Sequence, residues 1–531
     1  MVINHRDRDE EATLAEVEPD RPREAWHVRL RTRLEMLPWA VWAGPLLALF
    51  TLAVRLVHPD RAYEIHLDEV IYRSMAVSIG EGHLPAMPGE APFFLHPPGY
   101  FVLLAGWRAL VWRGGDIFQE LYALRGLNIV LGAVTAWLLY AIVRKVANPA
   151  AGAAAAAIFA LDPFALRQNG RSFLETAAMM WLLAGYLGLL VLQSRKGRNR
   201  WLAVGTGLLL GLAIVTKDFA GVLVAIPLGW AAIRNLDLPR RTIGVVAAVA
   251  CIPYSIWILI VVATGHGGDF LNSKMIGLLR AIGLRQETGF NAEGPPVAEV
   301  LSRTVHLYGL SYLLSAAGIV AAVGLLASRR PDARLLGLLG ISEVAWLAYA
   351  VLFGTVEEQF LYFLLIPALL TVPVAWVEYG RAMLRVGWNR QAVAVLGALV
   401  LLLVLLGGAV QWALVRQRPD DGWRRAVAWL EGNVPPGSTV VVSSRDPKGP
   451  TVDGLVLTGY KVTEWHSPQA RKVSRVRWVV IPSALVDDGY VAMTPTDADQ
   501  IRAEGTMVFS SSSPTLGRLE IVRINRGSVS P

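Results

Sequence analysis

Residues 97–112 read PPGYFVLLAGWRALVW, and whether they cross a membrane decides the topology of everything after them. The segment is apolar but only 16 residues long, with Arg108 in its last third. A helix needs about 20 residues to cross a ~30 Å hydrocarbon layer. The charges of the connecting loops settle the choice. If 97–112 lies on the membrane surface and the N-terminus is cytoplasmic, the basic clusters all fall on the cytoplasmic side: Arg144 with Lys145, Arg195–Arg200, Arg234 with Arg240 and Arg241, Arg329 with Arg330 and Arg334, and Arg381 with Arg385 and Arg390. That is the distribution the positive-inside rule requires. If 97–112 spans instead, all of these clusters move outside. The segment is therefore read as a juxtamembrane helix.

Eleven apolar spans follow from this reading, at about 38–57, 123–143, 150–165, 173–192, 201–216, 219–233, 242–264, 305–327, 335–353, 359–378 and 392–414. The composition agrees: of 531 residues 54% are hydrophobic and 17% charged, against about 25% charged in soluble chains. A soluble enzyme is excluded. The net charge of +8 sits in short loops, so no nucleic-acid partner is expected. The lone Cys251 excludes an internal disulfide and a cysteine metal site.

Residues 1–37 balance acids and bases and read as a cytoplasmic N-terminal tail. Residues 38–414 form the polytopic membrane domain, opened by an uncleaved signal-anchor helix with Trp39 and Trp42 at one interface. Three outer segments stand out by size: 58–122, 265–304 and 415–531. In the last, an amphipathic helix at 421–433 precedes short β-like runs at 438–442, 478–481, 506–509 and 518–524. This predicts a small soluble α/β domain on the extracytoplasmic side.

The first outer loop contains His66-Leu67-Asp68-Glu69-Val70-Ile71-Tyr72-Arg73 at the start of a helical pattern. Asp68 and Tyr72 share one face at i,i+4, and Glu69 and Arg73 share the next, where they can pair. Adjacent carboxylates beside a membrane suit a general base; the competing reading is a helix N-terminus with a surface ion pair. His96, held before Pro97 and Pro98, sits near the headgroups. Arg167, Arg171 and Glu175 are spaced as one helical face, which makes Glu175 a second acid at the outer surface. Lys217-Asp218 joins two short spans and should lie below that surface, with Lys217 able to meet an anionic headgroup or to close on Asp218. Arg125 and Asn128 stand at the outer end of their span. The stretch 270–286, with Lys274, Arg280 and Arg285, fits a basic interfacial helix. Glu357, Glu358 and Gln359 open the tenth span from outside, and Glu343 lies inside the ninth. No phosphate loop or zinc-spaced cluster is present.

The order of these landmarks resembles the polyprenyl-phosphate-dependent glycosyltransferases of the GT-C class, of the protein O-mannosyltransferase and aminoarabinose-transferase type. The resemblance rests on Asp68-Glu69 in a large first loop, His96-Pro97-Pro98 before a juxtamembrane helix, Arg125, Arg171 with Glu175, and Lys217. It covers about residues 38–235. Many relatives carry Lys at the position of His96, which argues against an aminoarabinose substrate, and relatives more often have Asp at the position of Glu175.

The resemblance implies a transferase at the outer face of the cytoplasmic membrane of a bacterial cell envelope, with a polyprenyl-phosphate sugar as donor and a protein, lipid or glycan as acceptor. Asp68 would be the general base, positioned by Glu69 or Tyr72, in an inverting displacement. Glu175 would assist. His96, Arg171, Lys217, Arg280 and Arg285 would meet the donor phosphate, and Glu358 the acceptor. Some members use a divalent metal, Mg or Mn, and Asp68, Glu69 and Glu175 are the residues that would hold one; the nearest relatives are metal-independent, so no cofactor is expected. The alternative is a secondary transporter or lipid flippase with charges lining its path. That class predicts inverted repeats and small outer loops, whereas the outer mass here is concentrated at the first loop and the C-terminus.

Overall fold

The computed structural model describes residues 38–234, 236–282, 284, 297–353, 359–385, 389–443, 452–465, 477–487 and 491–524. The N-terminal tail, Arg285, Glu357 and Glu358 lie outside the described residues, as does the side chain of Arg280.

Each of the eleven apolar stretches forms helix: α1 Pro38–Leu56, α4 Ile117–Val146, α5 Pro149–Leu161, α7 Leu174–Ser194, α8 Arg200–Thr216, α9 Ala220–Arg234, α10 Arg240–Ala263, α12 Val297–Leu326, α13 Pro331–Phe353, α14 Phe360–Arg385 and α15 Arg390–Gln417. Among the described residues, seven helices are long and apolar enough to cross a membrane unaided. An eighth arises if α5 and α6, Pro163–Asn169, count as one span bent by 65°. α8 and α9 are apolar but shorter, at 17 and 15 residues. At the bend Pro163 cannot continue the α5 hydrogen-bond ladder, and Asp162 caps α6 by accepting from the Ala165 amide at 2.8 Å. Arg55 of α1 reaches in and donates to the open carbonyls of Phe159 and Ala160, both at 3.2 Å, so the end of α5 is satisfied inside the protein.

Segment 97–112 forms α3, Gly99–Val111. Its 13 residues give ~20 Å of helix, too short for a crossing. Helix α2, Leu67–Gly80, precedes it and packs against it. Both rest on α4, and the N-terminus of α3 abuts the C-terminal turn of α8. Most of the buried apolar side chains of α2 to α14 join one continuous core.

The C-terminal region opens with amphipathic α16, Gly422–Asn433. It continues through β1 Thr439–Val442, α17 Val452–Val456, β2 Lys461–Glu464, β3 Arg477–Pro482, α18 Ser483–Asp487, α19 Pro495–Glu504, β4 Thr506–Ser513 and β5 Gly517–Ile524. The sheet has the order β2-β1-β3-β5-β4, with β1 parallel to β2 and β3, and β5 antiparallel to β3 and β4. Four of these strands overlap the short β-like runs expected from the sequence; β2, α17, α18 and α19 escaped the sequence reading. One face of the sheet and α16 share an apolar cluster with Ile65 and Val70 of the first loop and Phe118 and Leu121 of α4. The small domain is therefore seated on the loop that carries Asp68.

Candidate active site

Helix α2 begins with a capping box. His66 Nδ1 accepts from the Asp68 amide at 3.2 Å, and Glu69 Oε2 accepts from the His66 amide at 3.0 Å. A carboxylate three residues after the cap was the available signal, hidden because His replaces the usual Ser or Thr.

Glu69 is wholly buried. Arg125 grips it with both sides of its fork, at 2.9 Å from Nε and 2.8 Å from Nη2, and the Ser172 amide adds a bond at 2.9 Å. Burial alone would raise the Glu69 carboxyl. The Arg125 charge and hydrogen bonds, with Arg171 and the Ser172 amide, instead hold it below the ordinary carboxylate range. Four donors on two oxygens leave Glu69 a fixed, ionised anchor. The expected Glu69–Arg73 pair is replaced: Arg73 joins Glu120 at 2.7 Å, a buried acid that also takes Arg108 and so ties α2 and α3 to α4.

Asp68, the residue before the anchor, keeps 24% of its side chain exposed. Tyr72 Oη lies 3.5 Å from Asp68 Oδ2, as the i,i+4 spacing anticipates, and the His66 ring is 3.8 Å from the same oxygen. Desolvation, then the guanidinium charges of Arg171 and Arg167, push the His66 imidazole far below its usual pKa, so it is neutral here. His96 meets Tyr72 and Phe93 edge to face, with ring centroids 6.1 and 5.9 Å away.

The spacing of Arg167, Arg171 and Glu175 does not mark one helix face. Helix α6 stops at Asn169 and α7 starts at Leu174, with Asp162-Pro163 and the turn between them interrupting the regular period. Asn128 pins that turn, donating to the carbonyls of Arg171 and Phe173, both at 2.7 Å, while accepting from Tyr100 Oη at 3.1 Å. Arg171 is buried between the rings of Tyr63 and Phe173, and its Nε makes no hydrogen bond. Glu175 accepts from Lys217 Nζ at 2.9 Å and from Gln168 at 3.3 Å. The pairing of Lys217 with Asp218 is likewise replaced: Asp218 takes Lys274 at 2.7 Å. Lys274 belongs to α11, Gly267–Ala281, the basic helix expected after residue 265; it also donates to the Leu95 carbonyl at 3.2 Å, next to His96. Glu343 is buried within its span, as its position there suggests.

The fold thus brings Asp68, Glu69, Tyr72, His96, Arg171, Glu175 and Lys217 into one neighbourhood, with Arg125, Asn128 and Ser172 as its scaffold. Asp68, Glu69 and Glu175 do not converge as a metal ligand set, because Glu69 is saturated by Arg125 and amides while Glu175 is closed on Lys217. Among the described residues no three His, Cys, Asp or Glu side chains form a metal-binding group. A cavity of about 450 Å³ between Val41, Trp137, Tyr140 and Arg144 lies at the other end of α4 from Arg125 and belongs to a different surface.

Residues 96–258 match the family model described as dolichyl-phosphate-mannose-protein mannosyltransferase. No curated protein matches the sequence. Among solved structures, the chain is similar to the Archaeoglobus fulgidus oligosaccharyltransferase tethered with an acceptor peptide: TM-score 0.58, 14% identity, covering 94% of this chain and 75% of that one. It is also similar to the same organism's oligosaccharyltransferase AglB in complex with an inhibitory peptide and a dolichol-phosphate, with TM-score 0.57 at 13% identity over 96% and 75% of the two chains. ArnT from Cupriavidus metallidurans bound to undecaprenyl phosphate gives TM-score 0.55 at 13% identity over 92% and 99%.

Proposed function

We propose that this chain, a membrane glycosyltransferase of the GT-C class and O-mannosyltransferase type, moves a sugar from a polyprenyl-phosphate donor to a hydroxyl-bearing acceptor on the outer face of the cytoplasmic membrane. The observation that carries this reading is the pairing of two adjacent carboxylates with opposite environments. Glu69 is locked by four hydrogen bonds, and Asp68, one residue away on the same rigid turn, stays partly exposed.

Asp68 accepts the proton of the acceptor hydroxyl as its oxygen forms a bond to the anomeric carbon. The bond from that carbon to the phosphate oxygen breaks on the opposite face, and the lipid phosphate leaves with the electron pair. Configuration inverts. The charges around Asp68 suit this sequence. Glu69 is neutralised by Arg125 and Glu175 by Lys217, whereas Arg171 keeps a buried guanidinium with an unsatisfied N–H. Arg171 is therefore the first cation for the departing phosphate, and Lys217 joins it when phosphate displaces Glu175. His96 and the Lys274 helix border the donor path.

The basic connecting loops, read as cytoplasmic, support an outward-facing site and C-terminal domain. The test is transfer of label from radiolabelled polyprenyl-phosphate sugars, mannose first, by purified protein supplied with candidate acceptors and with or without chelator. Turnover that Asp68→Asn abolishes is expected; wild-type turnover in that variant would falsify the assignment of the base.

A further inference from the structure

We infer that the C-terminal domain is a working part of the transferase, and that Asp420 and Glu64 are the positioning residues through which it holds the Asp68 loop. This rests on the reading of Asp68 as the base.

The loop from Val57 to His66 carries no regular secondary structure of its own, so its backbone groups need external partners. Two bodies supply them. From the membrane side, Arg125 donates to the carbonyls of Pro59 and Tyr63, both at 2.9 Å, and of Glu64 at 3.3 Å, with the same guanidinium that grips Glu69. From the C-terminal side, the Asp420 amide donates to the Arg61 carbonyl at 2.8 Å, Asp420 Oδ2 accepts from the Glu64 amide at 3.1 Å, and Arg416 donates to the Val57 carbonyl at 2.7 Å. Glu64 returns the contact, its Oε2 accepting from the Trp423 amide at 3.3 Å.

Asp420 is in turn fixed by the small domain. Ser513 donates to it at 2.6 Å, and Thr515 donates its hydroxyl at 2.6 Å and its amide at 3.0 Å. Asp420 and Glu64 are both buried. An appendage tethered only for stability needs apolar contact alone. Here the β4–β5 turn, Asp420, Glu64 and Arg125 form a continuous set of directional bonds ending on Glu69, beside Asp68. Losing one end frees the loop and lets Asp68 wander, and small displacements of a catalytic group are costly.

The test uses the full-length protein and whichever radiolabelled polyprenyl-phosphate sugar the wild type turns over. Asp420→Ala and Glu64→Ala are expected to lower kcat at least tenfold with the donor KM within twofold, while Glu64→Gln loses less than Glu64→Ala. Hydrogen–deuterium exchange should rise in 57–70 and stay unchanged in β3–β5. If Asp420→Ala unfolds the small domain, seen as exchange across β3–β5, Glu64→Ala and Asp420→Asn carry the comparison. Unchanged kcat, or lost kcat without faster exchange in 57–70, overturns the inference. Because Asp68→Asn is run alongside, an active Asp68→Asn enzyme removes the base assignment itself, whereas an inactive one with wild-type Asp420 and Glu64 variants removes only the role of the domain.

Discussion

Asp68 and Glu69 are neighbours in sequence and opposites in chemistry, and the difference comes from what surrounds them. Replacing Glu69 by Gln leaves Arg125 buried without its counter-charge. Breaking a buried pair in this way costs about 3–5 kcal/mol, so Glu69→Gln should unfold at a clearly lower temperature in detergent as well as losing activity. Asp68→Asn is the contrasting case. Its side chain keeps 24% exposure whereas Glu69 is fully buried, so the melting temperature should fall far less than in Glu69→Gln while turnover falls by at least about a hundredfold, the scale of a lost general base. The two variants separate anchor from base in one pair of measurements. From the residues alone the two carboxylates are equal candidates and only the family resemblance names Asp68 as the base, because what holds Glu69 is Arg125, 56 residues away.

At the level of the element, α3 shows how a short helix is placed by its first turn. A Cβ on Gly99 would lie 2.7 Å from the Val215 carbonyl oxygen and 2.8 Å from Thr216 Oγ1, and the first of these is backbone that cannot swing away. Gly99→Val should therefore push α3 off α8, shifting His96 on one side and Lys217 on the other. The expected result is a several-fold rise in donor KM and a fall in kcat, with α12–α14 keeping wild-type hydrogen exchange; an unaltered KM and kcat would mean that α3 tolerates the displacement. Length and charge already gave α3 its surface character, since 16 apolar residues with an arginine do not fill a bilayer. The broken α5–α6 pair was harder to read. Its apolar run passes for an ordinary span, and Asp162-Pro163 becomes a bend only because Arg55, itself held by the Asn169 side-chain oxygen, donates to the Ala160 carbonyl and Ser311 donates to Asp162.

Across the whole molecule, the junction between membrane and C-terminal domains buries Glu64 facing Asp420 of the small domain and Arg125 and Tyr122 of α4. Burial and then Asp420 push Glu64 up to about 8 from an ordinary 4.5. The folded protein therefore holds a proton that the unfolded chain releases above about 4.5. Where the native state binds more protons, stability falls as pH rises, so the contribution of this group is greatest below about 4.5 and declines until about 8. The melting temperature should drop between pH 5 and 8, and Glu64→Gln should flatten that slope; an equal slope in the variant would assign it to other groups. The eleven helical runs, the surface helix, the C-terminal strands and the candidate acids are written into the sequence by itself, since hydropathy, period and charge placement are local properties of the chain and the membrane imposes one rule on all of them. Partner choice is not local. That Glu69 takes Arg125, Glu175 takes Lys217, Asp218 takes Lys274 and the small domain grips the Asp68 loop was decided by tertiary structure alone, because a buried charge pairs with whatever opposite charge the packing brings within hydrogen-bond reach.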